Sequence, residues 1–166
     1  MAKYGDRRNA GKKYDKAVAK NLGYKATPGS GCTAHEKADA KGNAGSFLIE
    51  AKQYQYEYPF SLKEWDKLEF YAMSQGLIPV FVIRLFPEEV AVMSQQDFSH
   101  VTEDSDFDEP FNTVVSKGKK QFTIKRDDLV GRNLHDDAFI PFYIQENKFV
   151  IFNFSKFKKI KERYES

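Results

Sequence analysis

Apolar positions recur at helical spacing near the start of the chain. Ala10, Tyr14, Ala17, Val18 and Leu22 fall close to i, i+4, i+7 and i+8 steps, so residues 6–22 are predicted to form a helix, with Gly23 as its stop. A loop dense in turn residues follows at Thr27-Pro28-Gly29-Ser30-Gly31. Residues 38–41 and 46–52, separated by Gly42-Asn43-Ala44-Gly45, read as two short strands of a hairpin. Strand alternation puts Leu48, Glu50 and Lys52 on one face of the second strand and Phe47, Ile49 and Ala51 on the other.

The clearest helix is 62–75. Ser61 is a good N-cap, Glu64 completes a capping box, Leu62, Trp65, Leu68 and Ala72 make the apolar stripe, and Gly76 ends it. Val80 to Phe86 reads as a buried strand and Val90 to Met93 as another, so the order strand–helix–strand indicates an α/β layer. Residues 97–110 carry Asp97, Glu103, Asp104, Asp106, Asp108 and Glu109 and are expected to form an acidic surface loop. Strands are expected at 121–124, 140–144 and 148–154, and a basic helix over 156–163. No internal repeat or low-complexity linker is visible. The 166 residues suit one domain, with a core over 5–95 and a β-rich, basic extension over 96–166.

Charge changes this picture in one respect. The formal total is only +2, yet residues 1–25 carry +6, residues 153–166 carry +3, and the stretch between carries −7. A polybasic, histone-like protein is therefore excluded, while localised basic faces are not. A single cysteine, Cys32, excludes an internal disulfide framework and four-cysteine zinc sites, and suits a reducing compartment. Residues 1–16 show no apolar leader segment and the longest apolar run is too short for a membrane span, so a cytoplasmic protein without membrane association is expected.

The candidate chemistry lies in the hairpin. Asp39 precedes Glu50-Ala51-Lys52, and pairing of the two strands would set both carboxylates beside one ammonium. Carboxylate oxygens suit Mg²⁺, which keeps several waters and needs few protein ligands. A bound cation activates water and offsets charge on a phosphoryl oxygen, and Lys52 could orient that water, so the pattern points to phosphodiester hydrolysis. An ordinary cross-strand salt bridge would use the same residues. A second copy, Glu146-Asn147-Lys148 with Asp137 upstream, sits in a polar stretch expected to be a hairpin tip, where side chains are solvated and poorly held.

The wider arrangement resembles the PD-(D/E)XK nuclease superfamily, and within it the archaeal and bacteriophage Holliday junction resolvases. The residues that carry the resemblance are Gly11 to Asp15 in the first helix, Gly23-Tyr24, Pro28-Gly29-Ser30-Gly31, Asp39 and Ile49-Glu50-Ala51-Lys52, followed by the Trp65 helix and the Ile78 to Phe81 strand entry. The resemblance implies a restriction-endonuclease-like core, a central mixed β-sheet flanked by helices. It implies that Asp39 and Glu50 ligate Mg²⁺, with Mn²⁺ as a substitute, and that Lys52 is the catalytic lysine. Asp15 matches a helix glutamate that approaches the metal, one methylene shorter, so a water-mediated contact is as natural as a direct one. Ser30 matches a loop hydroxyl near the scissile phosphate. Ala38 stands where the family has proline, which removes a backbone constraint and no ligand. A homodimer nicking opposing strands of a four-way DNA junction is also implied.

The remaining residues admit two readings each. Arg7, Arg8, Lys12 and Lys13 could grip backbone phosphates beside the cut, or form a solvated helix face. Ser30 could be a turn residue, and Asp15 a cap or the partner of a nearby lysine. Tyr54, Tyr56 and Tyr58, at period two, could stack on bases, or form sheet surface or a dimer contact. His35, His100 and His135 have no metal-ligand spacing, and Cys32 has no nucleophile partner. The rival functions are another nuclease of the superfamily, of restriction or repair type, a non-catalytic DNA-binding module, and an interaction domain using its acidic loop.

Overall fold

The computed structural model describes residues 4–26, 38–43, 45–112, 118–135 and 137–166, with backbone alone for residues 4–12. The chain begins with α1 (Tyr4–Leu22), followed by β1 (Lys25–Ala26), β2 (Ala40–Lys41) and β3 (Phe47–Tyr54). Then come β4 (Glu57–Ser61), α2 (Leu62–Gln75), β5 (Ile78–Leu85), β6 (Glu88–Ser94) and α3 (Gln95–Thr102). The last third supplies β7 (Gln121–Lys125), α4 (Arg126–Gly131), β8 (Phe139–Ile144), β9 (Asn147–Asn153) and α5 (Phe154–Glu165). Seven strands form one sheet in the order β1-β2-β3-β5-β6-β9-β8. Among the described residues, only β3 and β5 of this sheet run parallel, joined through α2; the other neighbours are antiparallel. This is a central mixed sheet flanked by helices, the α/β class expected.

Two apolar layers cover the sheet, and strand alternation assigns residues to them as predicted. Leu48, Phe81, Ile83, Val92 and Ile151 pack with Trp65, Leu68 and Ala72 of α2. Phe47, Ile49, Ala51, Val80 and Val82 pack with Tyr14, Val18 and Leu22 of α1 and Phe157 and Ile160 of α5. In α1 the buried stripe takes Ala19, while Ala17 is exposed, a one-residue shift in the face that meets the sheet. Phe60 is ringed by Phe81, Phe142 and Phe149 at 5.0–5.4 Å, which ties β4 to both halves of the sheet.

The caps behave locally. Ser61 Oγ accepts from Glu64 N at 3.2 Å, and Gly76 closes α2 in the left-handed region at φ 68. The acidic stretch at 97–110 is a loop only from Glu103 onward: Gln95–Thr102 is a helix, with Ser94 accepting from Asp97 N at 3.1 Å. Asp97 is thus a favourable first-turn charge of a helix rather than a loop residue. The remaining loop is partly tied down, since Asp108 exchanges backbone and side-chain bonds with Phe139.

One sheet runs across residue 95, because β9 pairs with β6. The final helix returns toward the opposite edge. Glu165 accepts from Ser46 Oγ at 2.6 Å and from Tyr24 OH, and pairs with Lys161 at 3.0 Å. Phe47 meets Phe157 at 5.2 Å and Tyr164 at 5.5 Å. A Cβ on Gly42 would stand 2.6 Å from the Tyr24 ring, so the close approach there requires glycine.

Candidate active site

The predicted hairpin forms. Ala40 faces Ile49 across an antiparallel pair, and Asp39 N donates to Ile49 O at 2.8 Å, which carries the pairing one residue beyond β2. Past that point Ala51 N donates to Asp39 Oδ2 at 2.7 Å. The Asp39 carboxylate is buried and fixed against β3 by the backbone of the residue between Glu50 and Lys52. Here a side chain replaces a ladder hydrogen bond.

Glu50 and Lys52 project on the same face, with Lys52 Nζ 3.5 Å from Glu50 Oε1. Asp15 arrives from α1 on the other side of the sheet and shares a hydrogen bond with the Asp39 carboxyl. Asp15, Asp39 and Glu50 therefore interact as one carboxyl cluster, with Lys52 paired to its Glu50 member. Their electrostatics record the crowding. Burial, then the charge of Asp39, pushes the Glu50 carboxyl up to about 8, with Lys52 offsetting part of the effect. Burial, then Asp39 through charge and hydrogen bond, pushes Asp15 up to about 7. Like charges brought together out of water hold a proton between them.

Lys52 is the point at which sequence reasoning stopped short. Its ammonium also lies 3.3 Å from Glu64 Oε2, and Glu64 accepts from Tyr58 OH at 2.6 Å. Burial alone would lower the lysine, but Glu50 and Glu64 outweigh it and hold its pKa above the ordinary value. Glu64 was legible only as the acidic member of a capping box. Its backbone plays that part, while its carboxylate reaches the site. Tyr58 is buried against Phe81 and Tyr54, so its hydroxyl has one direction to point. Glu50, Lys52, Glu64, Lys67, Leu68, Tyr71 and Phe81 line a cavity of about 260 Å³ beside the cluster.

The other expected residues divide. Ser30, with His35 and Cys32, lies outside the described residues. Arg7, Arg8 and Lys12 fall on α1 in the part described by backbone alone, and Lys13 is exposed. The tyrosine triplet is split by a bend at residues 55–56: Tyr54 and Tyr56 are exposed, and Tyr58 is core. Arg126 stacks over the Tyr56 ring at 4.8 Å. Glu146 and Lys148 sit at the β8–β9 turn, at the opposite end of β8 from Asp137. The second Glu-x-Lys copy is a hairpin tip, as expected.

Among the described residues, no group of three or more His, Cys, Asp or Glu side chains is arranged as a ready-made metal cage. A cation that retains its waters needs less. Asp39 and Glu50 are hard oxygen donors on adjacent strands, and the cluster carries more carboxylate than its single ammonium neutralises. That donor set fits a hydrated divalent cation, with Asp15 at hydrogen-bond range of Asp39.

No protein-family model matches the chain, and no curated protein matches it. Among solved structures, the chain is similar to the 1.6 Å structure of Archaeoglobus fulgidus Hjc, a Holliday junction resolvase from an archaeal hyperthermophile. That likeness has a TM-score of 0.47 and 16% identity, over 72% of this chain and 98% of the other. No helix among the described residues is long and apolar enough to cross a membrane.

Proposed function

We propose that the protein is a Mg²⁺-dependent endonuclease acting on branched DNA, with the four-way junction as its substrate and a homodimer as its working form in the cytoplasm. The observation that carries the nuclease reading is the clustering of the Asp15, Asp39 and Glu50 carboxyls, with Lys52 paired to Glu50. The choice of a junction comes from the sequence resemblance, not from the geometry.

In this reading Asp39 and Glu50 hold the ion and Asp15 steadies Asp39. The ion, when bound, acidifies water and offsets charge on the phosphoryl oxygen. Lys52 stands between Glu50 and Glu64, which hold its pKa above the ordinary value, so its ammonium is placed to donate hydrogen bonds. Its ammonium orients the attacking water and counters charge developing on the phosphate. Glu64 and Tyr58 fix where that ammonium stands. Exposed Phe70 and Met73, near neighbours on α2, offer apolar surface to a second copy.

The test is cleavage of a synthetic four-way junction and a linear duplex, each with Mg²⁺ and with EDTA. Paired nicks in the junction alone support the proposal. Sequence-dependent cutting of duplex favours a restriction-type enzyme, and binding without cutting favours a non-catalytic module. Cutting by Glu50→Gln and Lys52→Ala at the parent rate would sink the assigned site. Sedimentation of the free protein tests the dimer.

A further inference from the structure

Among the described residues, seven large apolar side chains are exposed, and three of them are aromatic rings at one end of the sheet: Tyr54 at 44%, Tyr56 at 57% and Phe86 at 57%. Exposed apolar residues scattered singly need no explanation, whereas a group of them marks a place where something docks. Tyr54 ends β3 and pairs in register with Leu85, the residue before Phe86. Tyr56 follows at the bend that leads into β4.

The rings are held in place. Tyr54 leans on the buried Tyr58 ring at 5.0 Å. Tyr56 has the Arg126 guanidinium over its ring at 4.8 Å, and Gln55 Nε2 donates to its hydroxyl at 3.1 Å. Arg126 N donates to Tyr56 O at 2.8 Å and Arg126 Nη1 donates to Phe86 O at 3.3 Å, so one residue ties the bend to the β5–β6 turn. The Arg84 guanidinium lies over the Phe86 ring at 4.9 Å. Arg126 also pairs with Asp127 at 3.5 Å, so its charge is shared and its part here is to fix the Tyr56 ring. An exposed ring fixed before binding loses little freedom when a ligand stacks on it.

Strand alternation sets where Tyr54 stands. It shares the face of Glu50 and Lys52, and two residues of rise place it about 7 Å beyond Lys52. Its hydroxyl is near enough to act on the Lys52 charge. A DNA strand lying on that face, with a phosphate at the carboxyl cluster, meets the Tyr54 ring next. A linear duplex keeps its base faces stacked inside the helix, whereas bases at a branch point can open. Aromatic side chains offer such bases a flat surface that does not read their identity.

We propose that Tyr54 and Tyr56 form a stacking platform for unpaired bases beside the branch point of the DNA. This inference rests on the nucleic-acid reading above and adds to it a physical reason for a branched rather than a linear substrate.

Binding in EDTA tests it, with three labelled DNAs: a four-way junction with two unpaired nucleotides at its centre, the same junction with abasic sites in their place, and a linear duplex. Removing a stacked aromatic side chain weakens binding about 5- to 100-fold, so Tyr56→Leu should lose that much on the unpaired junction and stay within about 2-fold of the parent on the other two DNAs. Tyr56→Phe keeps the ring and should bind like the parent. Tyr54→Leu should repeat the pattern, and it keeps the test open if Tyr56→Leu folds poorly. Equal losses on all three DNAs, no loss on any of them in folded variants, or a Tyr56→Phe as weak as Tyr56→Leu overturns the platform. A dimer that dissociates on sedimentation of Tyr56→Leu, with equal losses on all three DNAs, also overturns it and makes the patch a protein contact. If the losses depend on the bases as expected but no DNA is cut with any divalent cation, the platform stands and the nuclease reading falls. If junctions are cut and the losses do not depend on the bases, the nuclease reading stands and the platform falls.

Discussion

Glu50 is held in a position that favours its proton. Its carboxyl is raised from 4.5 to about 8, and that of Asp15 from 3.8 to about 7. In the metal-free protein the folded state binds more protons than the unfolded chain between those values. Stability therefore falls as pH rises from about 4.5 through 8. Glu50→Gln removes much of that slope, so the variant should be the more stable protein at pH 8 and show little advantage at pH 4, by thermal or urea unfolding. A melting curve for Glu50→Gln that tracks the parent across this range would contradict the crowding. If the cluster takes Mg²⁺, the stabilisation Mg²⁺ gives the parent grows with pH, because the cation displaces protons. Glu64 makes a different prediction. Glu64→Gln keeps an acceptor for Tyr58 but removes the second charge on Lys52. Displacing a reacting group by about 1 Å can cost on the order of 100-fold, so kcat should fall about 10- to 100-fold with KM little changed. A parallel rise in KM would point instead to lost DNA affinity.

At the level of single elements, the α2 unit is the part that places the site. It carries Glu64 in its first turn and Trp65, Leu68 and Ala72 into the core. Its two caps are separable. Ser61→Ala removes the acceptor for Glu64 N and should cost about 1 kcal/mol. Because that amide belongs to the residue that holds Lys52, activity should also drop. Gly76→Ala puts a side chain at φ 68, which costs about 1 kcal/mol with no effect on the site. Equal losses of activity in the two variants at matched stability would refute the difference. These caps, the 62–75 helix and the hairpin faces were legible in sequence, since each depends on residues within one turn or one strand. The β4 strand was not. Glu57–Ser61 pairs with Gln121–Lys125, some sixty residues away, and no local pattern announces that partner. The α3 helix was obscured for another reason: its first-turn Asp97 adjoins a genuine acidic loop, and charge composition masked the Ser94 cap.

For the molecule as a whole, the last helix closes the structure. Phe157 is fully buried, touching Phe47 at 5.2 Å and Phe152 at 6.4 Å, and Glu165 locks the helix end to Tyr24 and Ser46. Phe157→Ala should cost about 3–5 kcal/mol, read as a loss in the urea midpoint. Glu165→Gln should cost far less globally but loosen the β1–β2 edge, visible as faster amide exchange at Ala40 and Lys41 than at Ile151. Uniform exchange across the sheet would show that the clamp has no local role.

Local pattern sufficed for the α/β class, the helix and strand segments of strong periodicity, and the hairpin that brings Asp39 beside the strand of Glu50 and Lys52. Those follow from burial alternating along a short stretch of chain, a one-dimensional signal. The tertiary structure alone decided that Asp15 shares a hydrogen bond with Asp39, that Glu64 and Tyr58 hold Lys52, and that α5 closes against Tyr24 and Ser46. Each of these joins elements that lie on opposite faces of the sheet or at opposite ends of the chain. Such contacts form only when the whole sheet closes, and their partners are set by register and packing, which no window of neighbouring residues contains.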